Sequence, residues 1–191
     1  MRVKNGGTGI GRVLVEKIDG GNEIIREKLT RSDVEKIESE IEHRKLVVRK
    51  EAIAAVKEAR AHGDLSENFE YHAAKKDKNS NESRIRYLEK MLKNAEIVDE
   101  RSGADEVGIN NTVELYMEDD DETECYRLVT SVRGNSINGL ISIDSPLGKA
   151  VLGRKLNERV YVKVNDSYGY YVVIKGIVKT NDENGDQIRR F

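Results

Sequence analysis

From Leu29 to about Ala95 the apolar positions recur every three or four residues, with no proline and a single glycine in the stretch. That is the period of an amphipathic helix. Val34, Ile37, Ile41, Val48, Ala52, Ala55 and Ala59 fall on one face of a first helix. Tyr71, Ala74, Lys78, Asn81, Ile85, Leu88, Leu92 and Ala95 then alternate steps of three and four, the rhythm of a coiled-coil seam, on a second. A chain that folds back at residues 61 to 66 sets Ile37 against Leu92, Ile41 against Leu88 and Ala55 against Ala74, so both seams close in one antiparallel register. Arms of about 30 residues at ~1.5 Å rise make a rod on the order of 45 Å long. Lys45, Lys78 and Asn81 interrupt its middle at seam positions, so the rod is not built as a core alone.

The single glycine, Gly63, sits where the chain must reverse, and it suits the left-handed position just past a helix C-terminus. Asp64 and Glu67 have the spacing of a capping box, Asp64 at the N-cap and Glu67 at N3, where the helix dipole also favours acids. Capping does not exclude chemistry. Two carboxylates on one turn are also a partial site for a hard cation such as Mg²⁺, which a second macromolecule would have to complete.

From about residue 104 the period changes to two. TVELYM, CYRLVT, LISI, RVYVKV and YYVVIKGIVK read as strands separated by polar turns, and SPLGKAVLG as a short helix with Ser145 as its cap and Pro146 in its first turn. The fold class is therefore α+β in two domains: an antiparallel helical hairpin over residues 29–100 and an antiparallel-sheet domain with one short helix over 104–180. Residues 1–28 and the tail 181–191 are expected to be flexible, although GRVLVEKI near the start has strand character. The GGTGIG run is no phosphate loop, since no strand precedes it and no GK[ST] follows.

Composition narrows the classes. Charged residues make up 36% of the chain but nearly cancel to a net charge of -2, so any nucleic-acid contact must be local. Three histidines and the lone Cys125 offer no structural zinc spacing, and His62 and His72 do not form a helical HExxH pair. The acidic run at 118 to 122 lacks the ligand pattern of an EF-hand and reads as a solvated loop. Without an internal disulfide, a signal-peptide core or a membrane-length apolar run, a cytoplasmic protein is expected.

Two separated motifs carry a family resemblance. EARAHGDLSEN at 58 to 68, continuing as FEYHAAKK, resembles the hairpin-tip signature of the bacterial Gre transcript-cleavage factors, and ISIDSPLGKAVLG at 141 to 153 resembles their C-terminal-domain signature. The resemblance implies an FKBP-like C-terminal domain and a hairpin that enters the secondary channel of bacterial RNA polymerase. It implies that Asp64 and Glu67 help hold a second Mg²⁺ of the polymerase and promote cleavage of backtracked RNA, with no cofactor bound by the factor alone. Asp144, Ser145 and Pro146 would then touch the polymerase rim. Lys57, Arg60, Lys75, Lys76 and Lys78 lie within a few turns of the tip and either contact the phosphates of the nascent RNA 3′ segment or form a solvated helix face. On this reading the chain is a monomeric accessory factor that activates the polymerase's own hydrolysis, with no membrane partner.

Two alternatives stand beside it. One is a channel-binding regulator that does not stimulate cleavage, against which the retained Asp64 and Glu67 argue. The other is prolyl isomerisation, disfavoured by the lack of tryptophan and the presence of only Phe69 and Phe191 as phenylalanines. Phe69 near the tip departs from the small residue more usual in the family. HAAKK leans toward GreA, whereas RIRYLEK leans toward GreB.

Overall fold

The computed structural model of the 191-residue chain describes residues 26–61, 68–180, 186, 188 and 189. The strand character of residues 11–18 and the turn role of Gly63 lie outside these residues. A short strand β1, Lys28–Leu29, leads into the first arm, which runs as α1 (Arg31–His43), a π-helical turn (Arg44–Val48) and α2 (Arg49–Ala61). The second arm is one helix, α3, Phe69–Lys93, followed by β2, Glu96–Ile97, which pairs with β1 in parallel. The arms form the expected antiparallel hairpin. Arg84 binds Glu40 through both carboxylate oxygens at 2.9 Å, Arg49 binds Glu82 through both at 2.7 Å, and Lys45 reaches Glu89 at 2.6 Å.

The π turn is where the first arm departs from a regular seam. Asn81 is buried on α3, and a buried amide must find partners. Its Nδ2 donates to the Arg44 carbonyl at 3.3 Å while its Oδ1 accepts from Arg44 Nη1 at 3.2 Å. The same carbonyl accepts from the Arg49 amide, the i→i+5 bond of the wider turn. Beyond this turn the inward face of the arm runs through Ala52, Val56 and Ala59. Val56 is half-buried and Ala55 is exposed, which corrects the expected Ala55–Ala74 pairing. Ala52, Ala59, Tyr71, Ala74 and Ile85 keep their inward positions, and Lys45 leaves the seam for its ion pair.

The second domain is a five-stranded sheet with strands β3 (Thr112–Met117), β4 (Glu122–Val129), β5 (Leu140–Ser142), β6 (Arg159–Lys163) and β7 (Gly169–Val178), in the order β5-β4-β3-β7-β6. One face covers α4, Pro146–Val151, around a core that includes Val113, Leu115, Leu128, Val151, Val162 and Ile174. The sheet is not wholly antiparallel, because β4 and β5 pair in parallel. The chain between them reverses twice, first through turns closed by Arg133 N to the Thr130 carbonyl and Gly134 N to the Ser131 carbonyl. The second reversal, between the bridged residues Asn135 and Leu140, passes Gly139 at a φ of 71°.

That double turn also joins the two domains. Thr30 caps α1 and Asp33, at N3, completes a reciprocal capping box with it. Asp33 is fully buried, and beyond the cap its Oδ2 accepts from Thr130 Oγ1 at 2.7 Å while its Oδ1 lies 2.6 Å from Arg133 Nε. Arg133 also donates to Asn110 Oδ1 at 2.7 Å, and Asn110 holds a left-handed φ of 66° just before β3. Around this polar centre the base of the hairpin buries Leu29, Ile37, Ile85, Leu88 and Met91 together with Val132 and Ile188. Ile188 belongs to the tail expected to be flexible, and that expectation fails at Asp186, Ile188 and Arg189, each of which makes specific contacts.

Glu40 is the acid on which the lower hairpin turns, since it holds Arg44 from its own arm and Arg84 from the other. Burial alone would raise its carboxyl, and the hydrogen bonds from Arg84 and Arg44 outweigh that and hold it below its ordinary value. A lowered folded value means that the stabilisation is complete above the unfolded value, about 4.3, and is lost as pH falls through the folded one. Glu40→Gln is therefore expected to cost about 1–3 kcal/mol at neutral pH and to flatten the acid-side fall in Tm. Circular-dichroism melts between about pH 3 and 7 check this, and parallel curves for the two proteins would refute it.

Candidate functional site

The far end of the hairpin narrows to a neck. Asn68 is the N-cap of α3, its Oδ1 accepting from the Tyr71 amide at 3.0 Å. Its Nδ2 donates across the hairpin to the Ala59 carbonyl at 2.8 Å, so one amide both starts the second helix and ties it to the last turn of the first. The expected capping box is corrected here: α3 begins at Phe69, and its cap is Asn68 rather than Asp64. Asp64 and Glu67 themselves lie outside the described residues, as does His62.

Below the neck Tyr71 is buried between cations. The Arg60 guanidinium stands 5.5 Å from its ring and donates to its hydroxyl at 3.4 Å, while Lys75 Nζ stands 5.8 Å from the ring. The hydrogen bond from Arg60 holds the phenol below its ordinary value. His72 meets the ring edge at 5.6 Å. The five basic residues named from the sequence do not form a single cluster. Lys57 and Lys76 are exposed, Arg60 and Lys75 flank Tyr71, and Lys78 is half-buried toward the seam. Phe69 is 88% exposed beside the cap, which leaves its ring free for contact. Among the described residues no three His, Cys, Asp or Glu side chains converge into a metal site.

The second set, Asp144, Ser145 and Pro146, opens α4. Ser145 is the cap foreseen from the sequence, its Oγ accepting from the Gly148 amide at 3.0 Å and donating to the Ser142 carbonyl at 2.7 Å. Asp144 accepts from Ser131 Oγ at 2.6 Å and lies 3.7 Å from Lys28 Nζ, which fixes its carboxylate at the surface. Pro146 is exposed in the first turn. The trio thus presents one carboxylate edge and one proline ring on a rigid helix start, with the serine hydroxyl already engaged.

Sequence reasoning missed Asn68, because N-F-E-Y lacks the acid or amide at N3 that marks a capping box. It also missed Arg133 and Asp186, whose partners are distant in the chain. The T-x-x-D pattern at 30 to 33, next to buried Leu29, was a readable signal for the start of α1.

Two family models match the chain. Residues 27–97 match the family model described as transcription elongation factor, N-terminal, and residues 102–177 match the one described as transcription elongation factor, GreA/GreB, C-terminal. Transcription elongation factor GreA of Bacillus velezensis is 42% identical over 135 residues, 71% of this chain and 86% of that protein. GreA of Chloroherpeton thalassium is 42% identical over 152 residues, 79% of this chain and 96% of that protein. A crystal structure of GreA factor homolog 1 protein of Thermus thermophilus is 26% identical and covers 81% of this chain and 99% of that one, with a TM-score of 0.38.

The neck makes a prediction that separates its two bonds. Asn68→Asp keeps the acceptor for the Tyr71 amide but loses the donor to Ala59, whereas Asn68→Ala loses both. Asn68→Ala is expected to cost about 1–2 kcal/mol and Asn68→Asp less, with faster amide exchange at residues 69 to 72 in the alanine variant. Equal stability of both variants and the parent in urea unfolding would show that the neck is not held by this side chain.

Proposed function

The chain belongs to the GreA/GreB family of transcription elongation factors, and on that basis we propose how its parts act on bacterial RNA polymerase. The hairpin enters the secondary channel and carries Asp64 and Glu67 to the polymerase active centre. The sheet domain docks on the channel rim through Asp144 and Pro146, with Ser145 shaping the helix start that presents them. The protein acts as a cytoplasmic monomer and as an accessory factor, since a carboxylate pair is only part of a metal site.

The observation that carries this reading is the hairpin pinned on both sides of residues 62–67. α3 has 25 residues, so at ~1.5 Å per residue the neck stands about 37 Å from the base of the hairpin. A slender helical pair of that length reaches down a channel that a compact domain cannot enter. Asp64 and Glu67 offer hard oxygen donors, which suit Mg²⁺ and not a soft metal. Mg²⁺ held between this pair and the polymerase supplies charge to activate water and to stabilise the leaving oxygen of a phosphodiester. The chain's own contribution is to place two carboxylates. Arg60 and Lys75 flank the neck beside Tyr71, and Lys57 and Lys76 are exposed nearby, so extruded RNA phosphates meet cations on either side. The exposed Phe69 ring stands where it can stack on an unpaired base.

Asp64→Asn with Glu67→Gln removes both charges with little change in volume. Stimulated cleavage in backtracked elongation complexes is expected to fall at least about tenfold, or ~1.4 kcal/mol of transition-state stabilisation, while competition with the parent for polymerase is kept. Undiminished cleavage by the double variant would sink the mechanism. Polymerase binding without any stimulation by the parent protein would favour a regulator that only occupies the channel.

A further inference from the structure

Three residues of the C-terminal tail, beyond the last residue of the family match at 177, contact both domains at once. Asp186 lies 3.2 Å from Arg127 Nη1 and 3.4 Å from Arg133 Nη1, both on the sheet domain. The Arg189 amide donates to the Val132 carbonyl at 2.8 Å, and the Arg189 carbonyl accepts from Arg84 Nη1 of α3 at 2.9 Å. Between them Ile188 is buried with Ile37, Ile85, Leu88 and Met91 of the hairpin base. One short stretch of chain thus closes backbone, ionic and apolar contacts across the joint.

The charges around it explain why the stretch is held. Arg133 is fully buried, and Asp33 from α1 faces one side of its guanidinium. Asp186 sets a second carboxylate against Arg127 and Arg133, and removing a carboxylate from a buried cation is costly.

We infer that Asp186, Ile188 and Arg189 form a strap that fixes the tilt of the hairpin on the sheet domain, a positioning device for the tip acids. The inference rests on the reading that Asp64 and Glu67 act inside the polymerase. Lever length gives the strap its effect: a tilt of about 10° at the base displaces a neck about 37 Å away by roughly 6 Å. Catalytic groups misplaced by about 1 Å already lose on the order of a hundredfold in rate. A loosened joint therefore leaves docking intact and spoils delivery.

The test uses the full-length protein, with Cys125→Ser to clear the exposed native thiol and spin labels on Ala73→Cys of the hairpin and Ile137→Cys of the sheet domain. Both labelled sites are exposed, Ile137 at 95%. Pulsed electron-resonance distances in the free protein are expected to give one narrow peak. Asp186→Ala with Ile188→Ser is expected to broaden or shift it at unchanged helical content, and Ile188→Val to restore it. If the double variant does not fold, Ile188→Ala alone decides by the same readout. With polymerase, the strap variants are expected to lower cleavage at saturating factor while the half-saturating concentration stays within about twofold, since rim contacts are untouched. An unchanged narrow peak in the folded variants overturns the strap. Because the distance is read without polymerase, that failure is distinct from failure of the tip acids, which shows only in the Asp64 and Glu67 variants.

Discussion

The buried guanidinium of Arg133 is the point on which the geometry of this molecule depends. It makes ionic contact with Asp33 at the start of the hairpin and with Asp186 in the tail, and it donates to Asn110 just before β3. Three segments far apart in the chain are thereby fixed relative to one cation. A buried pair of this kind adds little net stability over an apolar substitute, but losing one partner is costly. Its value lies in geometry, because its partners come from different parts of the chain and meet at one guanidinium. The parallel pairing of β4 and β5 follows from the same requirement, since the double turn between them brings Thr130 and Arg133 to Asp33.

From that joint outward the hairpin is stiffened at intervals. Glu40 and Arg84 clamp its lower part, Asn81 locks the π turn, Arg49 and Glu82 bridge the arms above it, and Asn68 closes the neck. Polar seam positions that would weaken an ordinary coiled coil are used here as fixed crosslinks. On the proposed function the work divides accordingly: the sheet domain would give an anchoring edge at Asp144 and Pro146, and the hairpin would turn that anchorage into reach for Asp64 and Glu67.

Much of this was legible in the sequence, and the misses have physical causes. Periodicity located both arms, and strand alternation located all five strands of the sheet, because burial on one face imposes a repeat that composition cannot hide. It misjudged Ala55, whose inward place is taken by the neighbouring Val56, because two adjacent apolar residues leave that choice open in the pattern. The short helix at Pro146 was readable because Ser-Pro fixes both a cap and a φ angle. The cap at Asn68 was not, because its second bond goes across the hairpin to a carbonyl, and any residue supplies a carbonyl. The tail misled for the opposite reason: NDENGDQIRRF has the composition of a flexible end, yet Ile188 and Asp186 are held by partners more than 50 residues away. Pairings at long sequence separation carry no local signature. The acids at 64 and 67 were recognised through a family motif and not through their spacing, which a plain capping box explains equally well.

The claim that one buried cation sets the arrangement is tested most directly by a double-mutant cycle between Asp33 and Arg133, each replaced by alanine alone and together, with unfolding free energies from urea titration. The capping role of Asp33 cancels in the cycle, so the remainder reports the interaction across the joint. The account predicts a coupling of about 2–3 kcal/mol, with the double variant little worse than either single one. A coupling near zero, with the two losses simply adding, would show that the hairpin is held on the sheet domain by something other than this pair.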